Sequence, residues 1–160
     1  MSRVLFAVLT SLFALNVSAL VSDCSNGKSL FTLTSMSISP DPPVRGQNST
    51  LLLSMNVPEE INNGTATYTV TYNFMPFTPT VDDLCGITVP CPITVGTLDT
   101  VSSFPFDDTL SGTIIIRVNW NDLTGRSLLC VSMNLKLGNA AKQLVKRTKF
   151  HTLSNLTIQY

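Results

Sequence analysis

The residues whose spacing could do chemistry are the cysteines. Cys85 and Cys91 stand six positions apart in the stretch CGITVPCPI, a spacing compatible with a metal site, a redox pair or a disulfide that closes a loop. A zinc site needs four suitable ligands, and the single histidine, His151, lies in a basic tail without a partner motif. A redox pair favours Cys-x-x-Cys at the start of a helix, which Pro90 and Pro92 oppose. We therefore interpret the stretch as a disulfide loop and expect neither a metal nor another cofactor.

The first 19 residues predict a secretory signal peptide. Arg3 precedes an almost unbroken apolar run from Val4 to Leu15, and the segment ends in the small residues Val17-Ser18-Ala19. The run is shorter than the roughly 20 residues that span a bilayer. We expect cleavage after Ala19, with Ser22 as a second choice, and a protein that is secreted or enters the lumen of the secretory or endolysosomal route.

Export predicts covalent modification of both the cysteines and some of the asparagines. An exported chain with four cysteines is expected to oxidise them. Four cysteines allow three pairings, and the spacing favours Cys85 with Cys91 and Cys24 with Cys130. The same route gives access to N-glycosylation sequons, which begin at Asn48, Asn63 and Asn155.

Charges are distributed unevenly. All ten acidic residues lie between Leu20 and Leu137, together with five basic residues, whereas four of the other basic residues fall in 138–160. The acidic region disfavours nucleic acid as a partner. We expect the basic segment 138–160 to be a disordered or loosely docked extension. The alternatives are attraction to an anionic membrane surface and processing at Lys146-Arg147.

No arrangement of side chains predicts catalysis. A Ser-His-Asp triad is hard to build because His151 lies outside the apparent domain. Acidic pairs occur at Glu59-Glu60, Asp82-Asp83 and Asp107-Asp108. Adjacent carboxylates in turn segments point in different directions and typically serve solubility. We therefore expect a protein that is not an enzyme.

Alternation with period two is the dominant pattern and predicts strands. In TATYTVTYNFMPF, every second residue from Ala66 to Phe74 shares one apolar face, and TIIIRVNW, LLCVSMNLKL and the odd positions of 51–57 alternate in the same way. Between Leu30 and Ile38 the parity slips around Ser35, which predicts a bulge or a change of sheet. About seven such strands, separated by turn-forming segments, predict an all-β antiparallel β-sandwich.

Large aromatic side chains leave two interpretations of the interior open. They could fill an ordinary sandwich core, or line a cavity for a fatty chain or a sterol between sheets that stand apart. Burying about 400 Å² of lipid would gain roughly 10 kcal/mol before the costs of association. Periodicity does not separate the two interpretations. The aromatic residues are Phe31, Tyr68, Tyr72, Phe74, Phe77, Phe104, Phe106 and Trp120.

Four segments in order resemble the ML lipid-recognition domain family. They are Cys24, SPDPPVRGQNSTL at 39–51, DLCGITVPCPITVG at 83–96 and GRSLLC at 125–130. Over about residues 23–137 the chain resembles the phosphatidylglycerol/phosphatidylinositol transfer branch and is similar to the Niemann-Pick type C cholesterol-transfer proteins. The sterol branch has a third disulfide near 38–44 that this chain lacks, which weakens a sterol as ligand. The basic tail also exceeds the family's usual length.

The resemblance implies an immunoglobulin-like sandwich over residues 20–137, with a lipid between splayed sheets and disulfides Cys24–Cys130 and Cys85–Cys91. We hypothesise a monomeric carrier of a phospholipid or sterol with transient membrane contact, for which the basic tail is a candidate. The alternative is an immunoglobulin-like interaction module with a filled core and no lipid. The lipid-binding residues implied by the resemblance are Tyr68, Val70, Phe77, Phe104, Pro105, Phe106, Leu110, Ile116 and Trp120.

Overall fold

Nine strands and one irregular turn make up residues 19–137, the part of the chain that this computed structural model describes. The basic extension from residue 138, the sequon at Asn155 and residues 1–18 of the predicted signal peptide lie outside the described residues. The elements are β1 Leu20–Asp23, β2 Thr32–Ser39, β3 Asn48–Val57, β4 Gly64–Tyr72, β5 Met75–Pro76, β6 Thr80–Asp83, the turn Leu84–Thr88, β7 Gly96–Pro105, β8 Gly112–Asp122 and β9 Ser127–Leu137.

The strands form two antiparallel sheets, as predicted. The large sheet has the order β1-β9-β8-β4, and both β5 and β6 pair with the outer side of β4. The small sheet has the order β2-β3-β7. The predicted bulge is confirmed, since the register of β2 shifts between Leu33 and Ser35. The described residues contain nine strands, whereas about seven were predicted. The two additional strands are β5 and β6, which are only two and four residues long.

The core forms from the inward positions of the alternating strands. In β8 the buried residues are Ile114, Ile116, Val118 and Trp120, and the odd positions of β3 from Leu51 to Val57 are buried opposite them. The odd positions of β9 from Leu129 to Leu137 complete this layer. Apolar surface removed from water stabilises such a layer by about 25 cal/mol per Å². The buried positions of these three strands are the ones that the period-two pattern predicted.

One residue of the predicted β4 face is placed elsewhere. Phe74 was expected to lie on the buried face, and this is wrong, because β4 ends at Tyr72 and the chain reverses. Asn73 and Phe74 have φ values of 46° and 70°, and Tyr72 pairs with Met75 across this two-residue turn. Phe74 is 91% exposed.

The sandwich is fastened along the edge where β1 lies near β2. The backbones of the two sheets come close to each other there. The backbone N–H groups of Leu30 and Phe31, directly before β2, donate to the carbonyls of Ser127 and Leu128 in β9 of the other sheet, and beside them Cys24 forms a disulfide with Cys130 within the large sheet. We call this the β1–β2 edge. At the other side, the β4–β7 edge, β7 borders the small sheet and β4, β5 and β6 border the large one.

The β8–β9 hairpin is organised by one carboxylate. Asp122 accepts hydrogen bonds from the backbone N–H and the hydroxyl of Thr124, at 2.9 and 2.6 Å, and from the backbone N–H and Nε of Arg126, both at 2.9 Å. Donors to the ionised form lower a carboxyl pKa. The Thr124 hydroxyl is the largest cause, and the pKa of Asp122 falls to about 2.

We expect the Asp122 carboxylate to make stability depend on pH. Because its pKa is lower in the folded chain, it stabilises the fold fully above about pH 4, and this stabilisation is lost as the pH falls toward 2. Asp122→Asn should lower the melting temperature at pH 7 and have a much smaller effect at pH 2, measured by circular dichroism. Glu60→Gln, which changes an exposed carboxylate nearby, is the control. An equal loss for Asp122→Asn at both pH values would contradict the assignment.

Candidate functional site

A cavity lies between the two sheets near the β4–β7 edge. The centre of a water molecule can occupy about 20 Å³ of it, which is room for one or two waters. A lipid-sized cavity was predicted between the sheets, and the space found there in this structure is far too small for a fatty chain. Its walls are Leu51 and Leu53 of β3, Tyr68 of β4, Thr88 of the irregular turn, Thr100, Ser102 and Phe104 of β7, and Val118 and Trp120 of β8.

Polar groups are set into these mostly apolar walls. The Tyr68 hydroxyl lies 3.2 Å from Oγ1 of Thr88. Thr100 and Ser102 are half-buried on β7. The indole N–H of Trp120 is buried and finds no acceptor among the described residues. Such a set of groups can bind an apolar molecule that carries a few oxygen atoms.

The walls lack the groups that acid–base chemistry requires. None of the lining residues is Asp, Glu, His, Lys, Arg or Cys, so no side chain there exchanges a proton near neutral pH. Within residues 19–137, no three His, Cys, Asp or Glu side chains are grouped so that they could hold a metal ion. No helix in the described part of the chain is both long and apolar enough to cross a bilayer. The walls therefore offer an occupant apolar contacts and hydroxyl groups.

The disulfide loop, residues 85–91, forms one end of the cavity. Cys85 and Cys91 are joined, so the two disulfides of the structure have the pairing that the sequence favours. Asp83 accepts a hydrogen bond from the backbone N–H of Cys85 at 2.9 Å, and Gly86 takes a φ of 99°, which glycine adopts without steric cost. These contacts hold Thr88, which is 6% exposed, against the interior.

The structure separates the nine predicted lipid-binding residues into three groups. Tyr68, Phe104 and Trp120 line the cavity. Ile116 and Phe106 are buried in the core, and Val70 and Leu110 pack against it while half-buried. The other two, Phe77 and Pro105, are exposed.

Sequence reasoning missed six of the lining residues. Two of them, Thr100 and Ser102, lie in β7, whose sequence GTLDTVSSFP shows no apolar alternation. A signal was nevertheless present, because positions spaced by two from Phe104 share its face of the strand. The other missed residues are Leu51, Leu53, Thr88 and Val118.

Exposed apolar side chains lie beside the cavity, in the segment Phe74–Val81, which we call the apolar rim. Phe74 is 91% exposed, Met75 63%, Phe77 48% and Val81 61%. The segment FMPFTPTV contains no charged residue. It forms the outer border of the large sheet, where Thr80 pairs with the cavity residue Tyr68.

Comparison with known sequences identifies relatives. The ML domain model matches residues 18–137. The phosphatidylglycerol/phosphatidylinositol transfer protein of Mycosarcoma maydis is 25% identical over 125 residues, or 73% of this chain and 65% of that protein. A Dictyostelium discoideum protein with the provisional name phosphatidylglycerol/phosphatidylinositol transfer protein 1 is 32% identical over 81 residues, which cover 50% of this chain. The match spans about half of that protein's length.

Comparison with solved structures identifies the same fold. A Niemann-Pick type C2 protein from Japanese carpenter ant superposes with a TM-score of 0.57 at 16% identity, over 74% of this chain and 98% of that one. Chicken MD-1 complexed with lipid IVa gives a TM-score of 0.54 at 13% identity, over 74% and 88%. At such identities the likeness concerns the fold. The match of the ML domain model over residues 18–137 shows that the chain belongs to the ML domain family.

Proposed function

We propose that this protein binds one lipid, a phospholipid or a sterol, between its two sheets and carries it through water from one membrane to another. The observation that supports this most is the cavity's position: a mostly apolar space between the sheets, on the side away from the disulfide at the β1–β2 edge. Family membership adds weight, because relatives are named as phosphatidylglycerol/phosphatidylinositol transfer proteins, and MD-1 was solved with lipid IVa.

Lipid entry requires that the sheets separate. The β1–β2 edge resists separation because backbone hydrogen bonds tie Leu30 and Phe31, directly before β2 of the small sheet, to β9 of the large sheet. At the β4–β7 edge, the inward residues Thr100 and Ser102 are half-buried hydroxyl residues, which lose less on exposure to water than Leu or Phe. The β4–β7 edge is therefore the side that opens.

The energetics favour a guest of lipid size. Covering about 400 Å² of apolar lipid surface gains roughly 10 kcal/mol before association costs. Much of the wall that opening exposes is covered again by the lipid, so the net cost of opening is confined to lost packing between the sheets. No covalent chemistry is involved, because the task is to shield apolar surface from water.

The closed interior favours one second candidate, an immunoglobulin-like interaction module that acts through its surface. The cavity volume of about 20 Å³ is the observation behind it. Extraction of the purified protein with organic solvent, followed by mass spectrometry, separates the two functions. A stoichiometric lipid supports the carrier. A lipid-free extract together with no uptake of fluorescent lipid analogues favours the module.

We also propose that the carrier works in the secretory route, as a monomer with oxidised cysteines. Two predicted glycosylation sites, Asn48 and Asn63, are exposed and thus accessible to the modifying enzymes. Membrane contact during transfer is part of the proposal, with the apolar rim as the contact within the described residues. Its exposed phenylalanine side chains can be buried at the boundary between headgroups and acyl chains, and the segment has no charge to desolvate.

Filling the cavity from β7 should block lipid uptake. Ser102→Phe places a ring at a half-buried cavity wall, so we expect uptake of a fluorescent phosphatidylglycerol to fall at least tenfold. Val101→Phe adds the same ring to the neighbouring position, which is 48% exposed, and should bind lipid as the unchanged protein does. Circular dichroism melting checks the fold, because overpacking costs about 1–3 kcal/mol. Full uptake by folded Ser102→Phe would contradict binding between the sheets.

Removing the ring at the tip of the β4–β5 turn should slow transfer without destabilising the fold. Phe74 has a positive φ, where glycine avoids the steric cost of a side chain. Phe74→Gly should therefore keep or raise the melting temperature, while lipid transfer between donor and acceptor vesicles falls severalfold.

The matched control for this variant is Leu123→Ser. Leu123 is 71% exposed and follows Asp122, which pairs with Gly64 at the far end of β4 from Tyr72. Its loss should leave transfer unchanged. If Phe74→Gly transfers lipid at the rate of the unchanged protein, the proposed membrane contact through the apolar rim is contradicted.

A further inference from the structure

The indole N–H of Trp120 is a buried donor whose partner is missing. Trp120 is 3% exposed, and Nε1 has no acceptor among the described residues. A buried donor left unpaired lowers stability, and nearly all buried polar groups in proteins have partners. A buried donor in a cavity wall takes its acceptor from what occupies the cavity: water in the absence of a guest, or an oxygen atom of the guest.

Trp120 lies in the wall of the cavity between the two sheets. It is the last of the inward residues of β8, and its cross-strand neighbours are Ala66 of β4 and Leu129 of β9. Ala66 is fully buried and small, which leaves space for the indole within the layer. Trp120 shares the cavity with Tyr68 of the same sheet and with Ser102 of the opposite one.

The neighbouring hydroxyl groups do not supply the acceptor. The Tyr68 and Thr88 hydroxyls lie 3.2 Å from each other, and neither accepts a hydrogen bond from Trp120 Nε1. The Thr100 and Ser102 residues sit across the cavity on β7, so they move away from Trp120 as the sheets separate. With a guest between the sheets, the acceptor for the indole then comes from the guest or from a water held beside it.

The charge of the walls decides which acceptor fits. None of the lining residues is a Lys, Arg or His, so a phosphate placed there would be a buried anion without a counter-charge, which is strongly unfavourable. A neutral oxygen, such as an ester carbonyl or a hydroxyl, has no such cost. The walls therefore favour a neutral oxygen beside Trp120 and a charged headgroup in water.

We propose that the Trp120 indole N–H donates a hydrogen bond to a neutral oxygen of the bound lipid and so fixes the depth of the lipid between the sheets. This inference rests on the proposed function and adds a specificity-determining residue to it. Phospholipid esters supply a carbonyl and sterols supply a hydroxyl. Hydrocarbon chains alone supply neither.

The chain contains one tryptophan, so the full-length protein has one indole N–H resonance in its ¹H–¹⁵N spectrum. Short-chain diacyl phosphatidylglycerol should shift this resonance downfield and slow its exchange with solvent. The dialkyl ether analogue lacks the carbonyl and should bind with a much smaller shift. Cholesterol compared with cholestane tests the hydroxyl source in the same way.

Trp120→Phe removes the N–H and retains an aromatic ring. We expect about tenfold weaker binding of the diacyl lipid, the usual scale for one hydrogen bond, and a much smaller loss for the dialkyl analogue. The resonance measurement uses the unchanged protein, so the inference stays testable if this variant fails to fold.

The outcomes separate this inference from the proposed function. If the unchanged protein binds none of the four lipids, the proposed function fails. If lipids bind but the indole resonance stays in place, or shifts equally with the ester and ether lipids and with the sterol and its hydrocarbon, the role of Trp120 is overturned. If folded Trp120→Phe loses the same affinity for the diacyl lipid as for the dialkyl lipid, Trp120 contributes through packing alone.

Discussion

The fastening of one edge of the sandwich is the constraint on which the rest of the structure depends. Backbone hydrogen bonds tie the segment before β2 of the small sheet to β9 of the large sheet, and the Cys24–Cys130 disulfide beside them joins the end of β1 to β9 within the large sheet. Sheets held this firmly at the β1–β2 edge separate most easily at the opposite edge. The cavity at the β4–β7 edge is therefore the part of the interior whose volume can change with the least loss of structure.

A closed interior is what the hydrophobic effect requires of a carrier without its guest. Apolar walls facing water would be unfavourable, so they pack against each other until a lipid replaces that contact. A small cavity in the closed form is thus compatible with carriage as well as with a filled core. The two functions differ in the free energy of separating the walls, which the half-buried Thr100 and Ser102 reduce on one side.

The fold was largely predictable, but the dimensions of the site were not. Period two reports which face of a strand turns inward, and this placed the residues of β3, β8 and β9 correctly. It carries no information on how far apart two sheets stand, so cavity size could not follow from it. The position of Phe74 was missed because two-residue turns of this kind usually carry glycine, and a phenylalanine there is read as a continuing strand. The cavity-lining residues Thr100 and Ser102 of β7 were missed because their side chains are polar and so do not contribute to a period-two pattern of apolar residues.

An apolar cavity selects poorly among lipids, since most of its binding free energy comes from any buried hydrocarbon. Discrimination requires a polar group that only some guests can satisfy, because an unpaired buried donor is unfavourable in the wrong complex. Trp120 supplies such a group within a wall free of charged side chains. The same wall that admits a neutral oxygen excludes a phosphate, so the walls set the direction in which a lipid enters: hydrocarbon toward the interior, ester or hydroxyl at the indole, and charge in the solvent.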